Sequence, residues 1–131
     1  MKIVWAIAFG AALGGVTRYL VAMSVQARFG LGFPWGTFLI NVSGSLLLGF
    51  LLRYALSTTA VSVEVRALLT TGFCGGYTTF STYSYETALL LEEGQYPRAV
   101  LYALASMATA LAATFCGFMI ARYLLTVRSQ A

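Results

Sequence analysis

The residues best able to do chemistry are concentrated in one run, Gly72-Phe73-Cys74-Gly75-Gly76-Tyr77-Thr78-Thr79-Phe80-Ser81-Thr82-Tyr83-Ser84-Tyr85-Glu86. The run lies inside an apolar segment from about Glu64 to Glu92. At ~1.5 Å per residue that segment would make a helix roughly 43 Å long, well over the ~30 Å of a bilayer's hydrocarbon core. Its middle, near Thr78, therefore falls close to the membrane midplane, and that middle is rich in glycine, hydroxyls and aromatic rings. Glycine frees the backbone, and threonine and serine hydroxyls can bond the groups so freed. Non-helical backbone at this depth survives only where it is buried in protein or lines a water-filled cavity. The run thus predicts a membrane helix broken near its middle, with the break at a site. The competing reading is a continuous helix whose glycines serve close packing.

Further polar groups sit in the neighbouring apolar segments. Thr37, Asn41, Ser45, Gly49 and Arg53 recur at every fourth position and so share one helix face. An asparagine two turns inside a membrane helix needs a partner, because an unpaired amide in hydrocarbon is costly. It serves either as glue between helices or, as the matching polar row suggests, as lining for a polar path. Arg18 continues a face formed by Ala6, Gly10 and Gly14. An arginine at that depth either faces protein or water, or snorkels to the interface beside Tyr19. Ser106 and Thr109 are glue or path lining, and spacing does not choose between them.

These groups are mostly neutral donors and ring edges, and a ring edge is the positive part of an aromatic quadrupole. A small anion that must shed its water would find them useful in place of a hydration shell. Carbonyls exposed at a helix break would suit a bare cation such as sodium. The chemistry points to a small-anion path, a cation site, or both, and does not name the ion.

The elements that must position these groups follow from composition. The chain has 131 residues, of which 60% are hydrophobic and only 9% charged, against about 25% charged in a soluble domain. It reads as an all-α integral membrane protein with a single membrane domain, residues 1–131. Cys74 and Cys116 lie in apolar segments and suggest neither a disulfide nor a metal site. The absence of histidine, of a paired carboxylate and of a base beside any serine argues against an enzyme. The net charge of +4 bears on membrane topology and not on nucleic acid. Lys2 before an apolar run resembles the start of a signal peptide, but the run is too long and holds Arg18, so it reads as a helix.

Four membrane helices are expected, over about 3–27, 36–56, 64–92 and 97–125. Arg28 to Pro34 forms a Gly-rich loop and Ser57 to Ser62 a polar one, while Glu92, Glu93 and Gly94 close the third helix. Both termini then lie on one side with Lys2, Arg53, Arg66, Arg122 and Arg128, facing Arg28 and Arg98 on the other, which places the termini in the cytoplasm. Four short helices enclose little space, so an oligomer is expected, with the glycine-faced helices supplying the contacts between copies.

Three motifs taken together resemble the Fluc (CrcB) family of fluoride channels: Gly14-Gly15-Val16-Thr17-Arg18-Tyr19, Gly36-Thr37-Phe38-Leu39-Ile40-Asn41, and Thr71 through Ser84. The third is long and specific, and length and helix count agree over the whole chain. The resemblance implies a four-helix protomer paired with an inverted copy, an antiparallel homodimer with two pores that expels fluoride passively through a cell inner membrane or plasma membrane. It implies that Asn41 and Phe80 line the pore, with Ser81 and Thr82 in the same region and Ser106 on a polar track of the fourth helix. Tyr83 stands where the family usually has phenylalanine; a phenol keeps the ring edge and adds a hydroxyl. Arg18 matches an arginine near the pore entrance, and Glu86 an acidic position after the aromatic pair. The resemblance further implies a structural sodium ion at the dimer centre, held by backbone oxygens of Gly75 and Thr78. The Lys/Arg distribution, five against two, runs against insertion in both orientations, although short loops make the bias easy to offset.

Two other classes compete. A small multidrug-type antiporter has similar size but needs a carboxylate deep in the first helix, where this chain has only Arg18. A structural subunit would explain the glycines as packing but not the hydroxyl and aromatic cluster at the midplane.

Overall fold

The computed structural model describes residues 1–30, 32–57 and 61–130, all helical apart from short connections. The helices are α1 (Lys2–Phe29), α2 (Trp35–Leu56), α3 (63–77), α4 (Phe80–Glu92) and α5 (Tyr96–Gln130). Helices α1, α2 and α5 are each long and apolar enough to cross a bilayer. The third pass is α3 followed by α4, interrupted at Thr78 and Thr79, where the backbone is extended (φ −79°, ψ 159° and φ −152°, ψ 113°). The break stands where the sequence placed it.

Local chemistry sets most of the boundaries. Ser62 caps α3 by accepting the Val65 N–H, with Glu64 in the first turn, where a negative charge favours the helix dipole. Thr79 caps α4 in the same way, its Oγ1 accepting the Thr82 N–H at 3.1 Å. Gly94, at φ +70°, closes the third pass as expected: its N–H reaches the Leu91 carbonyl and the Gln95 N–H the Leu90 carbonyl, a Schellman arrangement that needs a residue without a Cβ. Helix α1 runs two residues past its expected end, to Phe29, so the Gly-rich loop begins at Gly30; its residue 31 lies outside the described residues, as do 58–60 of the polar loop. Helix α5 continues beyond residue 125 to Gln130, and Arg128 in that extra turn donates to the Tyr54 hydroxyl at 3.2 Å.

The ends of the passes confirm an alternating arrangement. Arg66 at the start of α3 donates to the Ala55 carbonyl at the end of α2, beside the Arg128–Tyr54 pair. At the other end Arg98 reaches the Gly32 carbonyl. The early turns of α1 pack on the early turns of α3, so both ends of the chain lie with Arg53, Arg66 and Arg128.

The glycines are used differently from the expectation that they join one copy to another. A Cβ on Gly10 would sit 3.0 Å from the Gly72 Cα, and one on Gly76 would sit 2.9 Å from the Ala11 Cα. Gly10, Gly14, Gly72 and Gly76 therefore bring α1 and α3 into backbone contact within the protomer. Likewise α2 and α5, another extensive helix pair, meet where Gly49 faces Thr114 and Gly117 faces Phe50. The small-residue faces are consumed inside the chain because a thin helix pair has little other way to gain dispersion contact in lipid. The same packing explains why the glycines of the third pass do not form the break: Gly72, Gly75 and Gly76 are all helical, and the extended residues are the β-branched Thr78 and Thr79. Leu68–Cys74 is wound as a π-helix, which nothing in the residue pattern announced.

A second cluster, Leu90, Ala99 and the fully buried Tyr102, packs with Phe33, Phe38 and Tyr83 and ties α4 and α5 to the chain ahead of α2. Much of the remaining apolar surface, including Phe9, Leu104, Leu111 and Phe115, is exposed, as lipid-facing side chains are.

Candidate ion-conducting site

One side chain from a neighbouring helix clasps the break. Asn41 on α2 accepts the Thr79 N–H on Oδ1 at 2.8 Å and donates from Nδ2 to the Thr79 carbonyl at 3.1 Å. Both backbone groups of an unwound residue at membrane depth are thereby satisfied, which the apolar surroundings require. Thr79, itself buried, then uses its hydroxyl to cap α4 and to donate to Thr82 Oγ1 at 3.0 Å, with Ser81 Oγ 3.2 Å away.

These bonds redirect the donors that would have continued the helix. The Thr79 N–H, which in an unbroken helix would bond the Gly75 carbonyl, goes to Asn41 instead. The Thr82 N–H, which would bond the Thr78 carbonyl, goes to Thr79 Oγ1. The Cys74 carbonyl, by contrast, accepts from both the N–H and the hydroxyl of Thr78 at 2.9 Å. Gly75 and Thr78 are thus among the four positions, 75 to 78, whose carbonyls lose their ladder donors at the break, and Gly75 is exposed on the protomer surface. Hard carbonyl oxygens freed in this way are what a sodium-like cation takes as ligands, so the donor set fits the ion that the resemblance implies.

On the other side of the break lies a cavity of about 330 Å³, open to the protomer surface, lined by Asn41, Ser45, Thr78, Phe80, Tyr83 and Ser106 among others. The Phe80 and Tyr83 rings lie 5.6 Å apart, centroid to centroid, tilted by 40°. Tyr83 holds its hydroxyl toward the Ala103 carbonyl at 3.4 Å, so the additional phenol group is turned onto α5. Phe80 is 78% exposed in the single chain. Ser106 is buried, yet its Oγ has no hydrogen-bond partner among the described residues. A hydroxyl is seldom left so at this depth unless something else occupies the space it faces.

The structure therefore brings Asn41, Thr78, Phe80, Tyr83 and Ser106 around one cavity. Ser81 and Thr82 stand just outside it, exposed and tied to Thr79. Arg18 is half-buried on α1, away from the cavity lining. The polar row of α2 divides: Asn41 and Ser45 face the cavity, Gly49 packs on α5, Arg53 is exposed, and Thr37 is buried elsewhere. Thr37 donates to Glu86 Oε1 at 2.8 Å, and Tyr102 donates to Glu86 Oε2 at 2.7 Å, so both oxygens of this carboxylate are engaged. Tyr102 was not anticipated as a polar partner; its place four residues before Ser106, on the same face of α5, was the available signal.

The CrcB-like protein, Camphor Resistance (CrcB) family model matches residues 5–118. Among curated proteins, the chain is 51% identical over 124 residues to the fluoride-specific ion channel FluC of Geobacter sulfurreducens, covering 95% of this chain and all of the relative. It is 50% identical over 122 residues to the protein of that name from Chlorobaculum tepidum, covering 93% of this chain and 96% of the relative. With the one from Aquifex aeolicus it shares 42% over 120 residues, 92% of this chain and 97% of the relative.

Proposed function

The chain belongs to the CrcB-like family, and from that membership we propose that it is a fluoride channel of a cell inner membrane or plasma membrane, letting the ion leave the cell down its gradient. The observation that carries this reading is the cavity at the break, where an amide, two aromatic rings and an unpartnered buried hydroxyl converge, with no cationic or anionic side chain among the described residues of the lining. Neutral donors of this kind replace part of a small anion's water without holding it too firmly to leave. The N-terminal end of α4 opens at the same place, and its unpaired N–H groups and dipole favour negative charge. Asn41, Phe80, Tyr83 and Ser106 form the wall of the path. Ser81 and Thr82 serve its mouth, and Arg18 draws anions toward the entrance by its charge.

The cavity is open on one side and Phe80 is largely uncovered, so a lone protomer would present polar groups to lipid. A second copy, inverted in the membrane, closes it and supplies a second, equivalent path. The carbonyls of Gly75 and Thr78 hold a structural sodium ion at the centre of that homodimer. An ion held there would offset the partial negative charge of those carbonyls.

Expression in a bacterium that lacks its own fluoride export tests the reading. The chain restores growth in fluoride, and its Phe80→Ile variant restores it less well. Failure of the wild-type chain to restore growth, when it is present in the membrane, would contradict it.

A further inference from the structure

We infer that Asn41 is a positioning residue for the cation site as well as a wall of the anion path, so that one side chain couples the two. The inference rests on the sodium reading given above. Its basis is the clasp on Thr79. Asn41 Oδ1 takes the one N–H that would otherwise return to the Gly75 carbonyl, and Nδ2 takes the Thr79 carbonyl from the other side.

No other described side chain bonds the backbone of Thr79. The local sequence supplies the Thr79 cap on α4, but no local group takes the Thr79 N–H. The residues before it are wound without interruption through Tyr77, and Phe80 begins a regular helix immediately after it. Thr78 alone satisfies its own hydroxyl in the helical manner, on the Cys74 carbonyl. What prevents the ladder from closing across the gap is an amide group reaching over from α2. That amide is fixed in turn, since Ile40 before it is buried and Gly44 one turn later packs against Tyr77 and Thr78. Without the clasp, the Thr79 N–H has the Gly75 carbonyl as its natural acceptor, and the oxygen offered to the cation is lost to the helix.

Asparagine is suited to this because its amide carries an acceptor and a donor on separate atoms, so it can bond an N–H and a C=O of one residue at once without carrying charge. Aspartate keeps the acceptor for the Thr79 N–H and loses the donor, while adding a negative charge to the anion path. Alanine removes both. The two substitutions therefore separate the roles: aspartate leaves the Gly75 carbonyl free and repels the anion, whereas alanine releases the N–H and spares the charge.

The experiment is thermal unfolding of the purified, detergent-solubilised full-length chain in sodium chloride and in N-methylglucamine chloride at equal ionic strength, with fluoride efflux from liposomes run alongside. Wild type is expected to melt several degrees higher in sodium. Asn41→Ala is expected to lose that sodium-dependent increment, and Asn41→Asp to keep it while fluoride efflux falls at least tenfold. A merely structural asparagine would lower the melting point equally in both salts and leave the increment intact. An increment unchanged in Asn41→Ala would overturn the inference and leave the cation reading standing. Loss of the increment in folded Asn41→Asp would overturn it also, and needs no folded alanine variant. A wild type with no increment would overturn the cation reading itself and the inference with it.

Discussion

Tyr102, with none of its surface exposed, donates its hydroxyl to the Glu86 carboxylate across 2.7 Å, binding α5 to α4. A hydrogen bond to a charged group contributes about 1.5–3 kcal/mol, and its loss leaves a half-buried carboxylate oxygen without a donor. Tyr102→Phe is therefore expected to lower stability by an amount in that range while the ring keeps its contacts with Phe33 and Tyr83. Thermal unfolding in detergent reads this directly. An unchanged melting point would mean that the bond contributes nothing, and that Thr37 alone suffices to hold Glu86.

Ser106→Ala separates stability from conduction. Its Oγ makes no hydrogen bond among the described residues, so removing it breaks none of those and should change stability by less than about 0.5 kcal/mol. If the hydroxyl serves the ion, fluoride efflux falls while the melting point holds. Efflux equal to wild type would take Ser106 off the path.

Phe80→Ile keeps much of the apolar bulk but removes the ring edge and the contact with Tyr83. Interactions of an aromatic edge are each of order 0.5–1.5 kcal/mol, so a loss on this scale at the barrier is roughly two- to tenfold in rate. Fluoride efflux should fall by about that factor with the oligomer intact by size exclusion. Undiminished flux would show that the ring is not part of the wall.

Two glycines, Gly76 and Gly15, test the packing. A Cβ on Gly76 would lie 2.5 Å from the Ala11 carbonyl oxygen, a backbone atom that cannot swing aside. Gly76→Ala should therefore destabilise by about 1–3 kcal/mol, the usual cost of overpacking. Gly15 has nothing within 4 Å of the same point, and Gly15→Ala should be neutral or stabilising by up to ~1 kcal/mol. Equal melting points for the two variants would contradict the close approach of α1 and α3.

The passes and the position of the break were legible because both depend on local composition: apolar runs of bilayer length, and hydroxyls where helix is hard to satisfy. The cause of the break was not. It lies in Asn41 and Thr79, 38 residues apart and on different helices, and no local pattern states which backbone group an amide will choose. The glycines misled for a related reason. Their spacing marks a surface for close approach but does not name the partner, and Gly10 and Gly14 met α3 of their own chain. Periodicity also joined Thr37, Asn41, Ser45, Gly49 and Arg53 into one row, whereas α5 packs against α2 and divides that row among separate tasks. The π-helical winding of Leu68–Cys74 depends on how α3 seats against α1 and left no mark in residue type.

The most direct measurement is ion release from liposomes that contain the purified chain and are loaded with potassium fluoride or potassium chloride. Valinomycin clamps the counter-charge and ion-selective electrodes follow the halides. Rapid fluoride release with no chloride release above empty liposomes is the predicted result. Release of neither ion from folded protein, or of both at similar rates, would contradict the account of a fluoride-selective channel.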